Sequence, residues 1–260
     1  MIDEIETDEP FVPTATIYGG TNLTNSFTIG TTIYTETGTI GFVAEDPSVM
    51  VGTPPKPRRG IVTAGHVGEP RASKNCSGTV TPAPTGYPVN GPFKDDASGV
   101  TFNHIRQAID TTNDAEFRIP ASGTHTFKNE IKYGPTGASV MAITTKYDAR
   151  NWTPPAFAFC KQGRTTKYLC GTIDSNNVSF TGNGIQQYFI RGVSSTAGGG
   201  IVAQGDSGGP VFVSNGAVGI TVGAGGTKLG TCPNNTYTWV FIEPITDVET
   251  ALSVTVATTP

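Results

Sequence analysis

The apolar residues of this 260-residue chain occur in short runs, which glycine, proline, asparagine and threonine separate from one another. Runs such as TTIYT, GTIGFVA and QQYFIRGV have about four to eight residues, a length and composition typical of β-strands joined by turns. No helical heptad pattern is present, and no apolar run reaches the roughly 18 residues that a membrane span requires. The pattern therefore predicts an all-β fold with many short strands.

The strand-like runs fall into two groups along the chain. The first group begins at Ile17 and ends with the alternating run DAEFRI. Residues 68–100, rich in Pro, Gly and Ser, interrupt it and are predicted to be a long loop or insertion with a short hairpin. Residues 120–137 are predicted to be a connector to the second group, which extends from ASVMAITT to YTWVFIEPI. Two groups of strands predict two β-barrels packed side by side.

One helix is predicted near the C-terminus, in the segment PITDVETALS. Thr246 is placed to cap its N-terminus, and Glu249, three residues later, would complete a capping box. Ile245, Val248 and Leu252 would form its buried face. A single short helix leaves the all-β class unchanged.

The charge of the chain limits its partners and its compartment. Charged residues make up 15% of the sequence, the formal net charge is −4, and no long basic patch is present, so nucleic acid and membranes are not expected partners. Residues 1–16 contain five acidic residues, no basic residue and no apolar core; they indicate a disordered leader or pro-segment remnant rather than a signal peptide. Four cysteines suit a secreted protein whose targeting segment has been removed, and a cytosolic protein is the alternative.

A single serine in IVAQGDSGGPVFV, Ser207, is a candidate nucleophile. Acyl transfer by serine requires a base, a group that holds the base, and backbone donors for the oxyanion. The segment also fits the G-x-S-x-G turn of α/β-hydrolases, which needs a helix after the serine and a later histidine. Here two strands around an Asn-Gly turn are predicted after Ser207, and no histidine follows His125. The α/β-hydrolase interpretation is therefore excluded.

The chain has three histidines, so the candidates for the base can be compared in full. His66 lies in IVTAGHVG, directly after an apolar strand, where its side chain would project into a cleft. His104 and His125 are predicted to be surface residues without cysteine or acidic partners at ligand spacing, so no metal and no cofactor is expected. The order along the chain is then His66, an aspartate and Ser207.

TAGH followed by GDSGGP resembles the chymotrypsin superfamily (S1) of serine endopeptidases. CKQGRTTKYLCGTI resembles the bridged loop of its bacterial-type branch, which includes α-lytic protease and the streptogrisins. IYGG and YTWVFIEPITDVETALS resemble the mature amino terminus and the last strand and helix of that branch. The resemblance extends from about residue 17 to 253. It implies two six-stranded antiparallel β-barrels packed side by side, with a short C-terminal helix.

The resemblance also implies an organisation and a function. A secreted, extracellular monomer is expected to hydrolyse peptide bonds of polypeptide substrates through an acyl-enzyme, with protein protease inhibitors as candidate partners. The expected units are a leader (1–16), an N-terminal barrel (17–122) with an insertion at about 68–100, a C-terminal barrel (123–245), and a C-terminal helix and tail (246–260). Two alternatives remain, a catalytically silent binding protein on the same fold and an inactive precursor that requires removal of the leader.

The resemblance implies a catalytic triad of His66, Asp114 and Ser207. The bacterial branch carries an Asn-Asp pair before a short strand, and TTNDAEFRI fits that pattern with Asn113 and Asp114. Asp110 is the competing candidate, and it lies in a predicted short helix. Asp114 is favoured, and it would hold the Nδ1–H of His66 and stabilise the imidazolium.

The residues next to Ser207 have implied roles of their own. The N–H groups of Gly205 and Ser207 would form the oxyanion hole. Asp206 would be buried and paired with a cation, which shapes that hole. The branch uses an arginine for this pairing where this chain has lysine, a side chain that keeps the charge and loses the bidentate fork. Three cations remain open as the partner: Lys161, the Ile17 amine and Arg164.

The resemblance places the primary substrate pocket between the segment before GDSGG and the segment ITVGAGG. No carboxylate is present to meet a Lys or Arg side chain, and Thr221 stands where a glutamate-specific enzyme has histidine. The remaining residues predict an apolar P1 preference; they are Ile201, Val202, Ala203, Val222, Gly223 and Ala224. Val222 departs from the family, which has at this position a serine bonded to the triad aspartate.

The resemblance implies a disulfide between Cys160 and Cys170. Cys76 and Cys232 have no counterpart in it, and they either bridge each other or remain free.

Overall fold

The computed structural model describes residues 15–69, 73–74, 80–81, 85–86, 88–154, 157–182, 185–231 and 235–259. These residues form twenty β-strands, one α-helix and two short 3₁₀ turns. The predicted all-β class with a short C-terminal helix is therefore confirmed. Most of the acidic leader, Cys76 and Cys232 lie outside the described residues.

An eight-stranded antiparallel sheet forms the N-terminal half, in the order β20-β4-β5-β10-β9-β8-β2-β3. The last strand of the chain, β20, joins its edge by pairing with β4. Inside the predicted insertion, β6 and β7 pair with each other as a separate two-stranded sheet. The strands are β1 (Thr16–Gly19), β2 (Asn22–Ile29), β3 (Thr32–Thr39), β4 (Phe42–Val51), β5 (Lys56–Ala64), β6 (Ser73–Lys74), β7 (Val80–Thr81), β8 (Phe93–Asp95), β9 (Thr101–Ile109), β10 (Asp114–Pro120) and β20 (Thr255–Val256).

A seven-stranded sheet forms the C-terminal half, in the order β13-β18-β17-β14-β15-β16-β19. β18 also pairs with β19, and this pairing joins β14 to β19 into a closed ring of six strands. The strands are β11 (Thr126–Tyr133), β12 (Ser139–Ala142), β13 (Thr145–Lys146), β14 (Ala158–Gly163), β15 (Lys167–Gly182), β16 (Ile185–Ser194), β17 (Pro210–Val213), β18 (Gly216–Leu229) and β19 (Thr236–Pro244).

The prediction of a connector at residues 120–137 is wrong, because this segment contains β11. β11 pairs in parallel with β1 and in antiparallel with β12. Ile131 is fully buried, and Phe127 and Tyr133 pack against the same apolar core. These three side chains lie at odd-numbered positions and therefore on one face of the strand, although the polar Asn129 interrupts the pattern.

The α-helix α1 (Ile245–Leu252) follows β19 directly, and its cap differs from the prediction. Pro244 occupies the N-cap position and no side chain caps the helix, so Thr246 lies inside the first turn. Glu249 accepts a hydrogen bond from Lys146 Nζ at 2.7 Å instead of closing a capping box. A strand that continues straight into a helix leaves no loop in which a threonine could take the cap conformation. The predicted buried face is present, and it consists of Ile245, Val248 and Leu252.

Candidate active site

A short turn after β5 holds His66. β5 pairs with β10, with Ala64 opposite Ala115, and the 3₁₀ turn Gly65–Gly68 follows at the end of this ladder. A Cβ atom on Gly65 would lie 3.0 Å from the backbone of Ala115, so the missing side chain lets the turn lie against β10. His66 therefore lies next to the first residue of β10, and only 8% of the His66 surface is exposed.

That first residue is Asp114, and its carboxylate contacts His66 twice. Its Oδ2 lies 2.5 Å from Nδ1 of His66, and its Oδ1 accepts the backbone N–H of His66 at 2.7 Å. Asp110, the competing candidate, accepts hydrogen bonds from the backbone N–H groups of Thr112 and Asn113. The structure thus brings Asp114 to His66 and uses Asp110 to close the turn before β10.

Ser207 lies on the other side of His66. Its Oγ is 2.7 Å from Nε2 of His66. Thr39 of β3 donates its backbone N–H to the Ser207 carbonyl at 2.8 Å, and the N–H of Gly208 donates to the Thr221 carbonyl of β18 at 2.7 Å. Strands from both halves of the molecule therefore fix the turn that carries Ser207, and this arrangement places a base next to a nucleophile.

Gly205 has a backbone conformation that ordinary residues rarely adopt, with φ at +93°. A Cβ atom at this position would lie 2.9 Å from the hydroxyl of Thr165. Thr39 donates its hydroxyl to the Gly205 carbonyl at 3.0 Å, which fixes the orientation of this peptide. Within the described ranges, the N–H groups of Gly205 and Ser207 have no hydrogen-bond acceptor, so both are available to an incoming oxyanion.

Asp206 is fully buried, and its carboxylate is saturated with donors. Lys161 Nζ lies 2.9 Å from its Oδ2, and the hydroxyl of Thr166 donates to the same atom. The backbone N–H groups of Thr165, Thr166 and Ala203 also donate to this carboxylate. Burial by itself raises the pKa of Asp206, but the Lys161 charge and these hydrogen bonds hold it below its ordinary value.

The other two candidate cations are engaged elsewhere. Arg164 Nη1 donates to the Leu23 carbonyl and to the hydroxyl of Thr24, at 3.1 and 2.6 Å. Ile17 lies within β1, where it pairs with Phe127, and its nitrogen is an uncharged peptide amide because Thr16 precedes it. Of the three cations that the sequence left open, Lys161 is the one that contacts Asp206.

Comparison with known proteins shows what this chain is similar to. The family model described as Trypsin matches residues 131–242, a segment that includes Ser207. The crystal structure of Nocardiopsis protease (NAPase) is similar over 94% of this chain and 100% of that chain, with a TM-score of 0.63 at 20% identity. This is the chymotrypsin fold. The expected resemblance to the S1 chymotrypsin superfamily is thereby confirmed, by the Trypsin match over residues 131–242 and by the shared fold.

Further solved structures with the chymotrypsin fold are similar to the same extent. Thermobifida fusca protease A matches 94% of this chain and 100% of its own, at 19% identity and a TM-score of 0.62. A glutamic acid-specific serine protease, described as using a histidine triad in substrate binding, matches 93% and 100%, at 20% identity and a TM-score of 0.62. No curated protein is significantly similar to this chain in sequence.

The six residues predicted for the substrate pocket of this chymotrypsin fold differ in exposure. Four are buried, namely Ile201, Val202, Ala203 and Val222. Ile201 and Val202 belong to the apolar core of the C-terminal ring, whereas Gly223 and Ala224 are partly exposed. A Cβ atom on Gly223 would lie 3.2 Å from the rings of Phe180 and Phe241. Sequence reasoning missed Phe180, because only the fold of the long β15–β16 hairpin brings it to Gly223.

The bridged loop has the disulfide that the resemblance implied. Cys160 and Cys170 are direct partners in the β14–β15 ladder and are joined by a disulfide. In the part of the chain that the structure describes, no group of three or more His, Cys, Asp or Glu residues is arranged to hold a metal ion. No helix in this part combines the length and the apolar character needed to cross a membrane.

Proposed function

We propose that the protein is a secreted serine endopeptidase that cleaves peptide bonds through an acyl-enzyme on Ser207. The observation that carries this proposal is the chain of contacts from Asp114 through His66 to Ser207, at 2.5 and 2.7 Å. His66 accepts the proton of the Ser207 hydroxyl as it attacks the substrate carbonyl, and then delivers that proton to the leaving amine. Asp114 holds the imidazole by accepting the Nδ1–H and stabilises the imidazolium.

The backbone N–H groups of Gly205 and Ser207 stabilise the negative charge that forms on the carbonyl oxygen. Support for this role comes from the positive φ of Gly205 and from the absence of an acceptor for either N–H among the described residues. Donors fixed before the reaction stabilise the developing charge without reorganisation, and the loss of one such donor typically lowers kcat by about 10²–10³-fold. The Lys161–Asp206 ion pair keeps this turn in place as structural support.

We propose an apolar side chain for the P1 residue of the substrate. The residues assigned to the pocket carry no charge; they are Ile201, Val202, Ala203, Val222, Gly223 and Ala224. Thr221 stands where the glutamate-specific branch is expected to have histidine, so this chain lacks the group that would select an acidic side chain. The backbone of Val222 and Ala224 would pair with the extended substrate as an added strand.

The proposed enzyme is an extracellular monomer that acts on polypeptides, with protein protease inhibitors as candidate partners. In the proposed division of the chain, the N-terminal barrel supplies His66 and Asp114, and the C-terminal barrel supplies Ser207. The proposed units are 1–16, 17–122, 123–245 and 246–260.

A fluorophosphonate probe followed by mass spectrometry tests the proposal. Wild type should form an adduct on Ser207, and His66→Ala and Ser207→Ala should lose it. If the wild type is not labelled, the experiment is repeated on the protein without residues 1–16. Labelling that then appears identifies an inactive precursor. If the shortened protein is still not labelled, the proposed function is wrong and the chain is a silent binding protein on this fold.

A further inference from the structure

Glu243 of β19 is a fully buried glutamate directly beneath the triad aspartate. Its exposed fraction is 0%, and its Oε2 accepts the backbone N–H of Asp114 at 2.7 Å. This hydrogen bond joins the last strand of the C-terminal ring to the first residue of β10. The resemblance and the triad geometry assign no role to Glu243.

The surroundings of Glu243 oppose a negative charge on its side chain. Among the described residues, no cation is found next to Glu243, and its Oε1 is buried without a hydrogen-bond partner. The charged groups that act on it are acidic; they are Asp114 of β10, Asp110 of the preceding turn and Asp247 of α1. Asp247 is paired with Arg150, and Asp114 with His66. Burial, followed by the Asp114 charge, raises the pKa of Glu243 well above its ordinary value.

The hydrogen bond that the resemblance implies between residue 222 and Asp114 is absent from this chain. The serine implied at position 222 is a valine, whose side chain is buried and has no hydrogen-bond donor. β18, the strand that carries Val222, pairs with β19, and Ile220 lies opposite Glu243 in that ladder. Glu243 thus reaches Asp114 from the strand adjacent to the one that would have carried the serine.

We propose that Glu243 is a positioning residue for Asp114 and that it acts as a neutral carboxylic acid. This inference rests on the proposed function. The Oε2 atom fixes the backbone of Asp114, and with it the carboxylate that holds His66. A neutral acid provides this contact without a second negative charge, which would repel the Asp114 carboxylate and bind the imidazolium more tightly.

Two substitutions separate the hydrogen bond from the charge. Glu243→Gln keeps an acceptor for the Asp114 N–H and is neutral, so it should retain kcat and KM and leave the midpoint of the acidic limb of the kcat/KM–pH profile unchanged. Glu243→Val leaves the Asp114 N–H without an acceptor, and it should lower kcat by about tenfold with little change in KM. Glu45→Gln is the matched control, because this carboxylate is paired with Arg59 and does not contact the triad.

The pH profile distinguishes this role from a purely structural one. If Glu243 were ionised in the wild type, Glu243→Gln would remove a negative charge near His66 and shift the acidic limb to lower pH; that shift would overturn the proposal. A Glu243→Val variant with wild-type kcat would also overturn it. If the valine variant does not fold, the glutamine variant still decides the protonation state through its acidic limb.

An infrared measurement tests the protonation state without activity. At neutral pH, the spectrum of wild type minus that of Glu243→Gln should contain the C=O band of a protonated carboxylic acid, and the same difference should appear in the Ser207→Ala background. A carboxylate band instead would overturn the neutral state of Glu243. Absence of fluorophosphonate labelling of Ser207, both with and without residues 1–16, together with the acid band would refute the proposed function alone, so the two failures can be told apart.

Discussion

Lys161 and Asp206 form an ion pair at 2.9 Å in which neither side chain has any exposed surface. Two charges removed from water are stable only as a pair, because each compensates the desolvation of the other. Lysine here occupies the position for which the resemblance implies arginine. Thr166 compensates for the missing fork, because its hydroxyl accepts from Lys161 at 2.6 Å and donates to Asp206.

Lys161→Met should destabilise the protein by about 3–5 kcal/mol, because it leaves the Asp206 carboxylate buried and unpaired. Urea denaturation monitored by fluorescence measures this loss. The double variant Lys161→Met/Asp206→Asn removes both charges and should recover part of the stability. If the double variant is no more stable than Lys161→Met, the loss of stability is not caused by an unpaired Asp206 charge, and the prediction is wrong.

Asp114→Asn should lower kcat by about 10⁴-fold, because an amide favours the wrong tautomer of His66. Asp110→Asn is the matched control, four residues away, and should change kcat by less than about threefold, because the Asp110 carboxylate bonds to Thr112 and Asn113 of its own turn and not to His66. Steady-state kinetics on an apolar peptide substrate measures both. Equal losses in the two variants would show that the aspartate is misassigned.

Gly205→Ala should lower kcat by about 10²-fold or more, because its φ of +93° and the nearby Thr165 hydroxyl force the oxyanion turn to move. Gly137→Ala is a control with a comparable backbone requirement. It has φ at +67° and no neighbouring atom within 4 Å. It should cost about 1–3 kcal/mol of stability and no activity. Activity loss in both variants would indicate global strain instead of a local effect.

Glu116 should make stability fall as pH rises. Burial raises its pKa to about 7 from an ordinary value of 4.5, although Arg118 donates to it at 2.7 Å. Between these two values the folded state holds a proton that the unfolded state has lost, so the contribution of Glu116 to stability is complete below pH 4.5 and is lost as pH rises to about 7, by about 3 kcal/mol.

Glu116→Gln should reduce this slope, and the part due to Glu243 should remain. Glu45→Gln should leave the slope unchanged, because Glu45 also bonds an arginine but is 28% exposed. Urea denaturation at about pH 5 and about pH 8 gives, for each variant, the change in the free energy of unfolding with pH. An unchanged slope in Glu116→Gln would show that Glu116 is ionised throughout this range.

Much of the candidate site could be predicted from the sequence, because its residues occur in short motifs. GDSGG, TAGH and the Asn113–Asp114 pair each combine a reactive side chain with small or polar neighbours, and the structure brings the three segments together. Glu243 could not be identified in this way. It is a single acid in an apolar strand, and only the pairing of β19 with β18 places it beneath Asp114.

The errors in the predicted fold have a common physical origin. The segment TFKNEIKY has only three apolar residues among polar and charged ones, and it becomes a strand by pairing with β1 and β12. Local propensity favours a cap at Thr246, but the preceding strand continues to Pro244, so Pro244 takes the cap position. In both cases a distant or preceding strand overrides the local preference.

The pairing of β20 with β4 has a consequence for synthesis on the ribosome. Thr255 pairs with Glu45, and the N–H of Ala257 donates to the Val43 carbonyl at 2.9 Å. The sheet built from the first half of the chain thus obtains its edge strand from residues translated more than two hundred codons later. In a nascent chain that is stalled before residue 255, the β4 edge of this sheet has no partner strand. We therefore expect the amino-terminal half to become resistant to protease only after translation has passed this point.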